Sequence, residues 1–190
     1  SPTIKQKNPY SMSLAKYHMR KSRYKGDSIL FFISANAESQ TNWCKQLVKE
    51  LKNSLGIKIK VITGTYAEKS LSIQRGESKM WLGAYVPDYP DGESYLSPYY
   101  SSNVGTSLRA LGQFKNTVFD QTFEMYSQEV DELKRNDYLN SCIQIMNSEA
   151  PVVPIYFENL LVVYNLNLRD ANMNSFGIMN FSKAYLKPVI

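Results

Sequence analysis

A continuous apolar run, Ser28–Ser34, constrains the fold of this chain more than any other feature of its sequence. A run of this length without alternation is typical of a β-strand covered on both faces. Apolar residues then recur on one helical face between Trp43 and Leu55, and Gly56 follows where a helix commonly ends. Residues 57–62 alternate as in a second strand. The order predicts a β-α-β unit with a right-handed crossover, and hence an α/β fold.

Further elements are predicted from local signals. They are a helix from Ser13 to Met19, a helix over 66–74, a third buried strand over 80–85, two helices that meet at Asn136–Asp137, and a hairpin of strands 151–157 and 160–164 turning at Glu158–Asn159. Trp43 is expected in the core of its helix and Trp81 in the buried third strand. The result is a covered sheet with flanking helices.

The segment Val86–Gly105 is predicted to be irregular. It holds three prolines and two glycines, and it is rich in tyrosine, serine and acidic residues. It leaves the carboxyl end of a predicted buried strand, which is where α/β sheets bind ligands. Asp91 and Glu93 within it are interpreted as turn and surface groups.

Composition excludes several classes of protein. No stretch approaches the roughly 20 consecutive apolar residues of a membrane span. One histidine, His18, and two cysteines cannot make a Cys/His zinc cluster, and His18 lies in a basic helical segment unsuited to an activated base. Cys44 and Cys142 could form one bridge, but their apolar helical surroundings favour two buried thiols. Without an activated nucleophile or an opposed pair of carboxylates, no enzyme is predicted.

The charge is concentrated at one end of the chain. Residues 1–60 hold 12 of the 22 Lys and Arg residues and 3 of the 17 Asp and Glu residues. A basic segment of this kind can attract nucleic acid or anionic lipid, but an excess of Lys and Arg is also typical of a helix face in contact with solvent. Because no Gly-rich loop, RNA-binding aromatic strand or zinc finger accompanies it, no nucleic-acid partner is predicted.

The loop sequence Gly83–Leu96, GAYVPDYPDGESYL, resembles the oligopeptide-binding proteins of ABC importers, bacterial extracellular solute-binding proteins of family 5. In that family an aromatic residue is followed three positions on by Asp, then by an aromatic residue and a Pro/Asp turn. Three other stretches resemble the family in the same order. They are the helix opening from Pro9 to Tyr24, the Leu-Gly-Ile strand entry at 55–57, and the Ala-Pro-x-x-Pro-x-Tyr stretch at 150–156.

The resemblance implies a periplasmic-binding-protein type II-like lobe with a mixed sheet flanked by helices. Family members have two lobes that close over a ligand, so residues 1–190 are expected to be one ligand-binding lobe of a longer protein. The start at Ser1, without a Met or an apolar leader, fits a processed or partial chain. The implied function is peptide capture for an ABC importer. The resemblance implies a monomer that uses no cofactor or metal and that binds the permease subunits of the importer. The implied location is the periplasm or, with a lipid anchor, the outer face of the cell membrane.

The resemblance also implies the ligand-binding residues. Carried over by position, Asp88 would pair with the α-ammonium of a peptide, and Tyr85 would form the aromatic wall before it. A carboxylate in a cleft is costly to bury unless it is paired, which fits this role, whereas Asp is also a favoured turn residue. Further residues expected to line the cleft are Val86, Tyr89, Tyr66 and Tyr156, although packing is an alternative for each aromatic residue.

Two departures from the family leave the ligand open. Many peptide binders have Trp at the position of Tyr85, and some have a basic residue near Leu82 that meets the ligand's C-terminal carboxylate. This sequence has neither, so the length and side-chain preference of a peptide are not predicted. A nickel chelate, haem or an oligosaccharide, or a signalling or adhesive role without transport, are the alternatives.

Overall fold

The computed structural model describes residues 10–34, 38–103, 114–156, 161–174 and 177–188. Its helices are α1 (Met12–Lys21), α2 (Glu38–Leu55), α3 (Tyr66–Gln74), α4 (Gly92–Leu96), α5 (Thr117–Gln128) and α6 (Glu132–Glu149). Its strands are β1 (Ile29–Ser34), β2 (Ile59–Gly64), β3 (Met80–Trp81), β4 (Leu168–Arg169), β5 (Asn172–Met173), β6 (Met179–Asn180) and β7 (Tyr185–Leu186). Two single turns of 3₁₀ helix, Ser97–Tyr99 and Ser101–Asn103, follow α4.

The β-α-β unit is confirmed. Strand β1 lies in the centre of a three-stranded parallel sheet of order β2-β1-β3, with Phe31 opposite both Val61 and Met80. Helix α2 connects β1 to β2 and ends at Gly56, whose φ of +70° is the left-handed conformation that glycine adopts most easily. The other strands form two separate antiparallel pairs, β4 with β7 and β5 with β6. The α/β class is therefore confirmed.

Two hydrophobic clusters form the core of the described residues. The first lies between the parallel sheet and α2 and contains Phe31, Ile33 and Cys44. The second joins the segment around α4 to α5 and α6, and it consists of Leu96, Tyr99, Phe119, Phe123, Tyr126 and Cys142. Both cysteines are buried and unpaired, as expected, and burial raises the pKa of the Cys142 thiol to about 11.

The helix predictions hold best where a local cap is present. Helix α3 has the predicted bounds, because Thr65 and Glu68 form a reciprocal capping box at its start. Helix α1 begins earlier than predicted, since Ser11 rather than Ser13 caps it by accepting a hydrogen bond from the Leu14 N–H at 3.2 Å. His18 lies on this helix, none of whose residues is buried.

The predicted break between the last two helices was wrong. Helix α5 ends at Gln128, and Asp131 caps α6 by accepting a hydrogen bond from the Lys134 N–H at 3.0 Å. Asn136 and Asp137 lie inside α6. An Asp cap ahead of a helical segment competes with the apolar period, and here the cap decided the boundary.

The third strand is shorter than predicted, and the segment predicted to be irregular contains helical turns. The third strand forms ladder pairs only at Met80 and Trp81, because the chain leaves the sheet after Leu82. Trp81 is half-buried rather than buried. Trp43 is 37% exposed and is not a core residue. The segment predicted to be irregular contains α4 and the two 3₁₀ turns, and its last two residues lie outside the described residues.

The predicted hairpin is absent from the described residues. Residues 151–156 and 161–165 have no strand pairing, and the turn and the adjoining ends, 157–160, lie outside the described part of the chain. Val153, Leu161 and Val163 are exposed. Strand propensity reflects packing against neighbours, and these residues have no cover among the described ones.

Candidate functional site

The candidate site lies where the parallel strands β1 and β3 end. Strand β1 ends at Ser34, and the chain continues from β3 through Leu82, whose N–H donates to the Phe32 carbonyl at 3.1 Å. The loop 83–91 begins immediately afterwards. The carboxyl ends of parallel strands meet at one edge of a sheet, so this loop and Ser34 share that edge.

Ser94 organises the loop from within. Its side chain is 2% exposed, and its hydroxyl oxygen accepts a hydrogen bond from the Asp88 N–H at 2.9 Å. Its carbonyl accepts a hydrogen bond from the Tyr85 hydroxyl at 2.5 Å, and the Tyr85 ring packs edge-on against Tyr95 at 6.2 Å between centroids. The backbone at Asp88 is therefore held in place while the Asp88 side chain is exposed.

Asp91 anchors the other end of the loop. It caps α4 by accepting a hydrogen bond from the Glu93 N–H at 2.8 Å, and the same oxygen, Oδ1, accepts from the Tyr126 hydroxyl at 2.6 Å. Nη2 of Arg135 also lies 2.9 Å from this oxygen, and the Arg135 guanidinium packs on the Tyr126 ring at 4.3 Å. The loop is thus tied to both α5 and α6. Asp91 has the capping role that suits a turn residue, and its contacts with Tyr126 and Arg135 add a role in holding the loop.

The electrostatics of this anchor follow from its contacts. The hydrogen bond from Arg135 lowers the pKa of Asp91 to about 2, against the opposing effect of burial. Burial and the hydrogen bond to Asp91 raise the pKa of Tyr126 to about 12. The backbone at Gly92 packs closely against α5 and α6. A Cβ at this position would lie 2.7 Å from Leu139 Cδ1 and 2.8 Å from the Tyr126 hydroxyl.

We expect Asp91→Asn to destabilise the chain by about 1 to 2 kcal/mol at neutral pH, because it removes a partly exposed ion pair, whereas Asn caps a helix about as well as Asp does. The pKa of Asp91 is lower in the folded chain than in the unfolded chain. Its stabilising effect is therefore complete above about pH 4 and disappears as the pH falls towards 2. Urea unfolding of the wild type and of Asp91→Asn between pH 7 and pH 2 measures the unfolding free energy of each protein.

The difference in unfolding free energy between wild type and Asp91→Asn should shrink as the pH falls through this window. The matched control is Asp27→Asn, which removes one negative charge from an exposed position ahead of β1. A difference that stays constant down to pH 2 would show that the charge of Asp91 does not stabilise the fold.

The side chain of Lys69, on α3, extends to the same edge of the sheet. It is 9% exposed, and its Nζ lies 3.3 Å from both Ser34 Oγ and the Leu82 carbonyl oxygen. The ammonium also lies 5.3 Å from the centre of the Tyr66 ring, which is exposed. Burial lowers the pKa of Lys69.

The structure brings most of the predicted ligand-binding residues together. Tyr85, Val86, Asp88 and Tyr89 lie on the one loop, where Tyr85 is half-buried and the other three are exposed. The Tyr66 ring contacts the Lys69 ammonium, and that ammonium contacts the carbonyl oxygen of Leu82, the residue before the loop. Tyr156 is exposed in the segment after α6, and no hydrogen bond or ring contact among the described residues joins it to the loop.

Three residues of the site were not found from the sequence. Ser94 and Arg135 hold the loop, and Lys69 places a positive charge beside it. The Asp91-Gly92-Glu93 sequence does carry a recognisable cap signal, but no local signal marks the inward side chains of Arg135 and Lys69.

Two negative findings apply to the described residues. Within them, no group of three or more His, Cys, Asp and Glu side chains is arranged to hold a metal ion. None of the helices described is both long enough and apolar enough to cross a membrane.

Two curated proteins of known name are similar to this chain in sequence. The dipeptide-binding protein DppE of Bacillus subtilis is 23% identical over 186 residues, which are 95% of this chain and 33% of DppE. The oligopeptide-binding protein OppA of the same organism is 28% identical over 160 residues, or 82% of this chain and 28% of OppA. The chain therefore spans about a third of the length of these relatives.

A solved structure shows the same fold. The dipeptide-binding protein from Pseudoalteromonas sp. SM9913, in complex with Met-Leu, superposes with a TM-score of 0.71 at 15% identity, over 98% of this chain and 39% of that one. The fold is that of a periplasmic-binding-protein type II-like lobe. The family described as "Bacterial extracellular solute-binding proteins, family 5 Middle" matches residues 1–107. The chain thus belongs to the family 5 bacterial extracellular solute-binding proteins.

Proposed function

We propose that residues 1–190 form one lobe of the substrate-binding component of an ABC peptide importer. The observation that carries this proposal is the exposed Asp88 side chain, on a loop fixed at the carboxyl edge of a parallel sheet, in a member of family 5. The whole protein captures a short peptide between two lobes and delivers it to the permease subunits.

Asp88 is the proposed anchor for the α-ammonium of the peptide. The hydrogen bond between its N–H and Ser94 fixes the backbone, so little conformational entropy is lost when the carboxylate takes a ligand. A carboxylate and an ammonium form charge-assisted hydrogen bonds, which are stronger than neutral ones. Tyr85, Val86, Tyr89 and Tyr66 would line the cleft beside this anchor, and Tyr156 would contribute from the segment after α6.

Closure of two lobes around a hinge is the proposed mechanism. The ligand stabilises the closed state because it contacts both lobes only there. The lobe by itself would therefore bind weakly, since half of the contacts and the exclusion of water are missing.

We further propose that the protein binds without catalysing a reaction and acts as a monomer. It would work in the periplasm or from a lipid anchor at the outer face of the membrane. No nucleic-acid partner is part of this proposal. The basic residues of α1 and the segment after it are exposed, which agrees with a solvated face.

Calorimetric titration of the whole protein with short peptides, beside the same peptides N-acetylated, tests the proposed function. Binding of only the free-amine peptides is the expected result. Equal binding of both sets would argue against Asp88 as an amine anchor. An absence of binding by either set would argue for a non-peptide cargo, such as a metal chelate, haem or a sugar.

A further inference from the structure

Helix α1 and the segment after it are strongly basic. The sequence from Tyr10 to Gly26 contains no Asp or Glu residue, and the first acidic residue along the chain is Asp27. Residues 10–27 therefore hold five positive charges and one negative charge, a balance of +4. The five basic residues are all exposed, and we define them as the basic face: Lys16, Arg20, Lys21, Arg23 and Lys25.

Exposed apolar side chains adjoin the basic face on α1. Helix α1 packs against α2, and its half-buried side lies three and four positions apart along the helix, at Met12, Ala15 and Met19. On the opposite side Leu14 and Tyr17 are exposed, as is Tyr10 just before the helix. The Lys21 ammonium lies 6.0 Å from the centre of the Tyr17 ring. Apolar area beside cations is typical of helices that lie at the surface of a membrane.

Helix stability accounts for only part of this charge. Arg20 and Lys21 are in the last turn of α1, where positive side chains interact favourably with the helix dipole. Lys16 lies in the middle of the helix, and Arg23 and Lys25 follow its end, so these three gain little from that effect. Like charges placed close together also repel one another. A negatively charged partner surface would remove this repulsion.

The basic face is attached to the amino end of the parallel sheet. The Tyr24 hydroxyl accepts a hydrogen bond from the Lys58 N–H at 2.8 Å. The Lys58 carbonyl in turn accepts a hydrogen bond from the Ile29 N–H at 2.9 Å, where β1 begins. Loop 83–91 lies at the other end of the strands, so a partner bound to the basic face leaves the loop that carries Asp88 uncovered.

We propose that the basic face docks on a membrane surface of anionic phospholipids. The Lys and Arg side chains would contact the phosphate groups, each strengthening the attachment by about fivefold, and Leu14 and Tyr17 would enter the headgroup region. Leu14 favours lipid over nucleic acid, because acyl chains offer it an apolar contact and a phosphate backbone does not. This inference goes beyond the proposed function, since it does not depend on the ligand that the protein captures.

Co-sedimentation of the whole protein, prepared without a lipid anchor, with large vesicles tests the proposal. One set of vesicles contains phosphatidylglycerol and phosphatidylcholine in equal parts, and the other contains phosphatidylcholine alone. At low salt the wild type should bind the anionic vesicles about 10-fold or more tightly than the neutral ones. The difference should disappear in about 0.5 M NaCl, because salt screens charges at an exposed surface.

A double variant, Lys16→Gln/Arg20→Gln, assigns the binding to the basic face. It should bind the anionic vesicles roughly 10- to 30-fold more weakly than the wild type, as expected for two lost charges. The matched control is Lys134→Gln/Lys187→Gln, which removes two positive charges from exposed positions outside the basic face. The control should bind within about twofold of the wild type, and thermal unfolding of all three proteins checks their folding.

Several results would overturn the proposal. Wild-type protein that binds neither kind of vesicle, or binds both equally, would refute docking on anionic lipid. Equal losses in the two double variants would show that the overall net charge, rather than the basic face, causes the binding. Tighter binding to a DNA duplex than to the anionic vesicles, at equal phosphate concentration, would assign the face to nucleic acid instead. None of these results depends on peptide binding, so the proposed function is tested separately.

Discussion

Replacing Asp88 with Asn in the whole protein should weaken the binding of short peptides with a free α-amine by roughly 100-fold or more. The estimate corresponds to the cost of removing one partner from an ion pair that becomes buried on binding. Asn keeps the size of the side chain and loses its charge, so the ligand ammonium would be desolvated without a counter-charge. Calorimetric titration of wild-type and variant protein with one tight-binding peptide measures the ratio.

Glu93→Gln provides the matched control for Asp88. It removes one negative charge from the same segment, at a half-buried position within α4. This variant should bind peptides within a few-fold of the wild type. Asp88→Asn with unchanged affinity would refute the amine anchor, and an equal loss in both variants would point to the general negative potential of the segment.

The largest effect on stability is expected for Phe119→Ala. Phe119 of α5 is 0% exposed, stacks on Phe123 at 6.1 Å between ring centroids and packs edge-on against Phe114 at 5.7 Å. Truncating a fully buried Phe to Ala removes its packing and leaves a cavity, at a cost of about 3 to 5 kcal/mol. Such a loss is a large part of the 5 to 15 kcal/mol by which a typical domain is stable. Urea unfolding at neutral pH gives the value.

Val118→Ala is the control, because Val118 is the preceding residue of α5 and is 62% exposed. It should change the unfolding free energy by no more than about 0.5 kcal/mol. Similar losses in the two variants would contradict the placement of Phe119 in the core. The Phe119 variant also tests the loop, since α5 carries the Tyr126 hydroxyl that holds Asp91.

The sequence predicted those elements whose signals are local. Helix α3 has its predicted bounds because both members of its capping box lie within four residues. Strand β1 and the Gly56 end of α2 were also correct, since an unbroken apolar run and a residue suited to positive φ act over short distances. The family was likewise identified from short stretches in order along the chain.

Predictions that needed a partner elsewhere in the chain were less successful. The third strand was predicted too long, because the chain leaves the sheet after Leu82 although β1 continues to Ser34. The residues around Val153 and Val163 have strand-like sequences but no pairing among the described residues. Apolar pattern alone does not decide whether a neighbour is present to accept the hydrogen bonds.

The proposed ligand site divides in the same way. The sequence by itself determined the α/β class, the family and the loop that carries Asp88. Only the tertiary structure decided that Arg135, 44 positions after Asp91, anchors this loop, and that Lys69 meets Leu82 at the edge of the sheet. Local signals arise from the backbone of neighbouring residues, whereas a buried charge is placed by packing between distant elements. That packing is set by the whole fold, and no short stretch of sequence encodes it.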